Sequence, residues 1–194
     1  MTVTWEVTVT YAPLDCGGKK KAMITKQKTE DALTPAQLVA ALDNLGVPFL
    51  RGASSPVVAV EPRVLLAALA ASNEARLRLA LIPLLLAHPE FSVHAVAALQ
   101  QLPPSAALML RCHYTAAYWL QIKYRVRITT SLGATHSLPD LFSAELNLPE
   151  STDPDAALHA LALRQRELTG LALNWRGAYE HAVQNWLRFL EYDN

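Results

Sequence analysis

The strongest pattern along the chain is an apolar stretch, residues 73–124, that predicts two packed helices. Between positions 77 and 86 almost every residue is aliphatic, so this segment has hardly any polar face. A helix that is apolar all round must be surrounded by protein. A second segment follows Pro103 and Pro104, and it is long, aromatic and only moderately polar. We expect it to form a long helix, ending near Arg127, that lies against the first.

Prolines and capping residues predict where the helices begin and end. Thr34 and Gln37 can form a capping box around Pro35, which suits the first helical position, and Gly46 supplies a left-handed stop. Pro83 should bend the apolar helix, because its nitrogen cannot donate and its ring opposes the carbonyl four residues earlier. Other helices are predicted at 62–71, 90–102, 154–169 and 175–191, with a loop at 129–152.

The N-terminal part of the chain predicts a small β element. Residues 2–11 alternate between apolar and polar, which is typical of a half-buried strand, and a lysine-rich segment with Gly17 and Gly18 then indicates a flexible basic linker. Two short apolar runs predict a hairpin near 47–60, and the strand could join its edge. The predicted fold is therefore mainly α, an irregular helical bundle with this small N-terminal β element. Residues 1–32 would form strand and linker, and residues 33–194 a single helical domain.

Composition narrows the range of functions. With 52% hydrophobic residues among 194, the chain can bury a core, and 17 basic against 17 acidic residues give zero net charge. A protein that mainly coats nucleic acid or an anionic membrane needs a net basic face, so a net charge of zero argues against both functions.

The remaining sequence features concern metals, disulfides and location. Cys16 and Cys112 fit no metal spacing or disulfide framework. The N-terminus does not resemble a signal peptide, and the longest apolar run is too short to span a bilayer. We expect a cytoplasmic protein without a membrane span, metal or small-molecule cofactor.

One short motif could carry chemistry, because Arg176 is followed five residues later by His181. An arginine can hold phosphate as a charged fork while a histidine moves a proton. The pair resembles the Arg, four to six residues, His motif of the HEPN family of helical bundles, although that family usually has a polar residue where this chain has Gly177. The resemblance implies a metal-independent ribonuclease, or a partner of a nucleotidyltransferase in a toxin–antitoxin pair. Otherwise Arg176 is a capped surface arginine and His181 lies on a helix face.

A second candidate site is the basic end of the long helix, Lys123, Arg125 and Arg127. With Tyr118 and Tyr124 nearby, these cations could form a platform for nucleic acid. Cations also suit the negative end of a helix dipole, and we favour this second interpretation.

Three functions are compatible with these patterns. The succession of apolar and aromatic segments over residues 33–191 is similar to small bacterial helical proteins encoded beside nucleotidyltransferase-like genes. This resemblance favours a non-enzymatic interaction or regulatory module, such as an antitoxin-like or accessory partner of a nucleotidyltransferase, which binds another protein or a second copy of itself. The first alternative is the ribonuclease, acting on RNA through Arg176 and His181. The second alternative is a nucleic-acid-binding regulator in which the helix at 35–44 and the hairpin form part of a winged helix.

Overall fold

The computed structural model describes residues 33–48, 59–133 and 137–192, and this part of the chain contains helices and no strand. All of these residues belong to one compact unit, Ala32–Asn194. The elements in chain order are α1 Pro35–Asn44, α2 Pro62–Ala71, α3 Ala75–Leu79, α4 Leu81–Ala87, a 3₁₀ turn at Pro89–Phe91, α5 Ser92–Leu99, α6 Pro104–Lys123, α7 Arg125–Leu132, α8 Pro154–Thr169 and α9 Trp175–Tyr192.

The prediction of a mainly helical bundle is confirmed, but its small β element is not supported. Strand 2–11, the basic linker and residues 49–58 of the hairpin lie outside the described residues. The parts of the predicted hairpin that the structure does describe, residues 47–48 and 59–60, are not in strands.

Helix α6 is the centre of the bundle. It contacts α2, α4, α8 and α9, and its buried residues are spread around the helix rather than confined to one stripe. Helix α4 lies against it, and every residue from position 81 to position 86 is buried. The two apolar segments of the sequence therefore form a packed core pair, as their patterns predict.

The apolar segment is broken where Pro83 predicts a disturbance. Helix α3 ends at Leu79, the residue whose carbonyl the Pro83 ring opposes, and α4 begins at Leu81. Between them Ala80 keeps right-handed helical angles, so the chain continues in nearly the same sense.

A sharper change of direction occurs at His88. The helix axis turns by 110° between Ala75–Ala87 and Pro89–Leu99. The His88 ring links this corner to the end of α1, since its Nε2 lies 2.7 Å from the Leu45 carbonyl oxygen. Its Nδ1 lies 2.9 Å from the Glu90 carboxylate.

Capping residues mark the ends of α1 and α8. The backbone N–H of Gln37 donates to the Thr34 hydroxyl, and the Thr34 N–H donates to the Gln37 side chain, which completes the capping box. Asp153 caps α8 through its carboxylate. Gly46 and Gly170 follow α1 and α8 with φ of 66° and 68°, a left-handed conformation that glycine adopts without steric cost.

The predicted end of the long helix near Arg127, and the loop start at 129, are wrong. Helix α6 ends at Lys123, Tyr124 leaves helical geometry with φ −103° and ψ 18°, and α7 runs from Arg125 to Leu132. Thr129 and Thr130 are helical, and their hydroxyls donate to backbone carbonyls four residues earlier.

The segment after α7 is irregular but firmly anchored. The Gln121 side chain pairs with both backbone groups of Leu138, accepting at 2.7 Å and donating at 2.8 Å. Tyr114 donates to the Pro139 carbonyl and packs edge-on against Phe142, with ring centroids 5.0 Å apart. This loop therefore belongs to the core layer around α6.

In the described part of the chain, none of the helices has by itself the length and apolar composition needed to cross a membrane. The bent pair Ala75–Ala87 and Pro89–Leu99 meets those two criteria only when its members are taken together.

A histidine is buried at the middle of α6. His113 lies edge-on to Tyr179 of α9, with ring centroids 6.1 Å apart. Burial and, to a smaller extent, the positive charge of Arg78 lower the pKa of His113 to about 4, against an opposing effect of the Met109 backbone. The imidazole is therefore neutral in the folded protein at pH 7.

We expect His113 to make folding stability depend on pH. Its folded pKa lies below the unfolded value of 6.5, so the unfolded chain takes up the proton first and stability is lost as pH falls from 6.5 towards 4. A shift of this size corresponds to about 3 kcal/mol. Denaturant titrations at several pH values should show that His113→Leu removes this dependence of the unfolding free energy on pH. A change in stability that is the same at every pH does not affect the test.

The matched control is His181→Gln on α9, where the side chain is exposed. It should leave the pH dependence of the unfolding free energy unchanged. An identical slope in wild type and His113→Leu between pH 4 and 6.5 would contradict the assignment.

Candidate functional site

The densest group of charged side chains in the described residues lies where α6, α8 and α9 meet. We call it the Lys123 cluster, and it consists of Lys123, Tyr124, Asp155, Arg176 and Glu180. The Lys123 ammonium donates to Asp155 Oδ1 at 2.7 Å and to Glu180 Oε1 at 2.5 Å. The Tyr124 hydroxyl donates to the other oxygen of Glu180, and Arg176 donates to Asp155 Oδ1 at 2.6 Å.

Local structure explains how these groups come together. Lys123 is the last residue of α6, and Asp155 lies in the first turn of α8, directly after the Asp153 cap and Pro154. Arg176 and Glu180 are four residues apart on α9 and therefore share one face of the helix. Three helices thus contribute to one cluster, which sequence spacing alone does not reveal.

Interactions within the cluster favour the charged forms of Asp155 and Lys123. The hydrogen bond from Lys123 lowers the pKa of Asp155, and Arg176 acts in the same direction. Burial by itself would lower the pKa of Lys123, but the hydrogen bonds to Asp155 and Glu180 outweigh it and raise the value. Burial, together with Glu180, raises the pKa of Tyr124. Two cations face two carboxylates, so the cluster has no excess charge with which to attract a phosphate.

The two residues of the predicted ribonuclease motif lie on α9 but enter separate hydrogen-bond networks. Arg176 pairs with Asp155, whereas Nε2 of the exposed His181 lies 2.8 Å from the Asn185 amide. Five residues along an α-helix correspond to a rotation of about 140°. Within one copy of the chain, the structure does not bring the arginine and the histidine together.

The predicted basic end of the long helix is divided among three environments. Lys123 belongs to the cluster, and Arg127 forms two hydrogen bonds with Glu191 on α9, at 2.7 and 3.0 Å. The Arg125 guanidinium has no hydrogen-bond or ion-pair partner within the described ranges 33–48, 59–133 and 137–192. Of the three cations proposed to bind nucleic acid, only Arg125 is uncommitted there.

Arg125 lines a groove of about 520 Å³, which we call the α6–α7 groove. Helices α6 and α7 contribute Ile122, Arg125 and Ile128 to its lining, and the end of α4, the 3₁₀ turn and the stretch around Leu138 also contribute. Its aliphatic lining residues are Leu86, Pro89, Ile122, Ile128 and Leu138, and Tyr118 adds an aromatic ring.

A second surface was not predicted from the sequence. Leu163, Leu168, Leu171 and Leu173 lie at the end of α8 and in the connection to α9, and each is between 43% and 57% exposed. We call these four residues the leucine turn. The sequence feature that could have predicted this surface is the run from Leu168 to Leu173, which contains no charged residue although it crosses a helix end at Gly170.

Other groups with potential chemistry are not arranged for it. In the part of the chain that the structure describes, no three His, Cys, Asp or Glu side chains are placed to hold a metal ion. Burial raises the pKa of the Cys112 thiol to about 12, so this residue is not an activated nucleophile.

Comparison with known proteins finds no family model that matches the sequence and no similar curated protein or solved structure. The site must therefore be interpreted from its own geometry.

We expect the Lys123 cluster to stabilise the contacts between α6, α8 and α9. Lys123 and Glu180 are only 23% and 16% exposed at their side chains, so their attraction is weakly screened. A double-mutant cycle with Lys123→Met and Glu180→Gln, read from the free energy of unfolding, should give a coupling of about 1–2 kcal/mol.

The pair Arg127 and Glu191 is a matched control, because it also links a neighbouring helix, α7, to α9, but its side chains are 40% and 47% exposed. The cycle with Arg127→Met and Glu191→Gln should give at most about 0.5 kcal/mol. Equal couplings in the two cycles would show that the Lys123 cluster is an ordinary surface pair.

Proposed function

We propose that this chain is a helical protein-interaction module, and that its most specific role is that of an accessory or antitoxin-like partner of a nucleotidyltransferase. The observation that carries the proposal is the leucine turn. Four half-exposed leucines fall within eleven positions of the chain, and exposed apolar residues that lie together mark interaction sites.

The energetic argument concerns what a partner would gain. Complete burial of one leucine side chain is worth about 1.5–3 kcal/mol relative to full exposure. Leucines that are already half-buried would each contribute roughly half of that on contact with a partner. Leu171 and Leu173 lie in the connection between α8 and α9, and such connecting segments often carry recognition residues on a rigid scaffold.

The charged groups of the described residues also favour binding over catalysis. Arg176 is neutralised by Asp155, Lys123 by Asp155 and Glu180, and His181 faces an amide. A phosphate-cleaving site requires a free cation next to a group that transfers a proton. No such combination is assembled by these residues within a single copy.

The double variant Leu171→Ser/Leu173→Ser should lose the partner. In affinity purification from native cells, we expect the wild type to retain a stoichiometric protein and the variant to retain at least about tenfold less, because the apolar contact is removed. Both residues are exposed, so each substitution should change the unfolding free energy by no more than about 0.5 kcal/mol.

The control is Val93→Ser/Val96→Ser, which removes two exposed apolar residues from α5 instead. Equal loss of the partner in both double variants would contradict the assignment to the leucine turn. A wild type that behaves as a monomer and retains no protein would contradict the proposed function itself.

The alternative function is a metal-independent ribonuclease that uses Arg176 and His181. One observation favours it: His181 is exposed, with its Nε2 near the Asn185 amide, so its ring is accessible to a substrate. Because the two residues lie on different faces of α9, such a site would need a twofold dimer in which two motifs converge.

If the ribonuclease hypothesis is right, His181→Ala should abolish cleavage of RNA by the purified protein, a loss of about 100-fold or more for a general acid–base group. The unfolding free energy should stay within about 0.5 kcal/mol of the wild type, since the side chain is exposed. His159→Ala, an exposed histidine on α8, serves as the control. Absence of cleavage by the wild type would refute the hypothesis.

A winged-helix regulator is the second alternative. Of its proposed elements, α1 is described, and its residues 40–42 are buried together with Leu38. The greater part of the proposed wing lies outside the described residues, so this alternative has less support than the other two.

A further inference from the structure

The described lining of the α6–α7 groove combines apolar side chains with a single cation. Ile122, near the end of α6, and Arg125 and Thr129, on α7, line it on the two sides of the Tyr124 junction. Leu86 at the end of α4 and Pro89 in the 3₁₀ turn also line it.

Arg125 is the only charged residue among the described residues that line the groove. The other polar groups in the lining, such as Gln121 and Thr129, already hydrogen-bond to backbone atoms. The Arg125 guanidinium has no such partner among the described residues, whereas its neighbours Lys123 and Arg127 are both bound to carboxylates. The groove therefore presents one unpaired positive charge at an apolar surface.

We propose that the α6–α7 groove binds a short segment of another protein in which a large apolar residue lies next to an aspartate or glutamate. The apolar side chain would fill the space between Ile122 and Leu86, and the carboxylate would pair with the Arg125 guanidinium. Arginine suits this role because its planar donors match the geometry of a carboxylate.

The charge of the groove favours a protein segment over nucleic acid. Affinity for a nucleic-acid backbone comes from several cations that neutralise successive phosphates. Here the adjacent cations are committed to Asp155, Glu180 and Glu191, and the apolar lining is mainly aliphatic, with Tyr118 as its one aromatic residue among those described. One arginine beside mainly aliphatic side chains complements one carboxylate next to one apolar side chain.

This inference deepens the proposed interaction function by naming a second surface and the chemistry of its ligand. The groove is formed by α4, α6 and α7, whereas the leucine turn belongs to α8 and its connection to α9. The two surfaces can therefore be tested separately.

A peptide selection tests the groove without assuming the ligand. A random library of short peptides displayed on phage is selected against the full chain, and the enriched peptides are synthesised with a fluorophore. We expect an acidic residue beside a leucine, isoleucine or phenylalanine, and binding that weakens about tenfold or more with Arg125→Glu. Replacing the peptide's acidic residue with lysine should restore binding to Arg125→Glu.

Two further variants make the result specific to the groove. Ile122→Ser should weaken the same peptides through the apolar contact, and it provides an independent test should Arg125→Glu disturb folding. Arg166→Glu reverses another exposed arginine, on α8, and should leave binding unchanged.

Several results would overturn the inference. Peptides that bind equally well to wild type, Arg125→Glu and Ile122→Ser would show that the groove is not their binding site, but would leave the proposed interaction function untouched. Failure to enrich any peptide, or enrichment of peptides without acidic residues, would refute this ligand chemistry. A labelled single-stranded RNA that binds in an Arg125-dependent manner would assign the groove to nucleic acid instead.

Discussion

The enclosure of α4 is the constraint on which the rest of the structure depends. Six consecutive positions, 81–86, are buried, so this helix has no face that can be left in water. Helices α6 and α9 contact it, and α6 in turn contacts α2 and α8. The central position of α6, with buried residues around the helix, follows from this requirement to surround an apolar neighbour on all sides.

A core of this kind leaves charged residues only at the margins, where they can pair between helices. The Lys123 cluster is the main example, since it joins the end of α6 to the beginnings of α8 and α9. Such pairing occupies charged side chains that, from the sequence alone, could bind a ligand. Arg176 resembles a phosphate ligand in the sequence, but in the structure its guanidinium donates to Asp155, 21 residues earlier in the chain.

The difference between what the sequence predicts and what it misses has a physical basis. Caps and prolines act within a few residues, so the bounds of α1 and α2 and the break before Pro83 can be predicted from local chemistry. The hydrogen bond that Tyr124 makes at the break between α6 and α7 goes to Glu180, 56 residues later. The partners of Arg176 and Arg127, and the exposure of the leucine turn, likewise depend on which helices meet.

The position of the Lys123 cluster links this scaffold to the proposed binding surfaces. The leucine turn connects α8 to α9, and the α6–α7 groove begins near the junction that Lys123 and Tyr124 hold against Glu180. Binding costs less when the contacting elements are already ordered, because less conformational freedom is lost on association. Ion pairs that fix α6, α8 and α9 relative to one another therefore preorganise both surfaces. On the proposed function, charged residues that resemble a catalytic site would contribute to recognition without contacting the ligand.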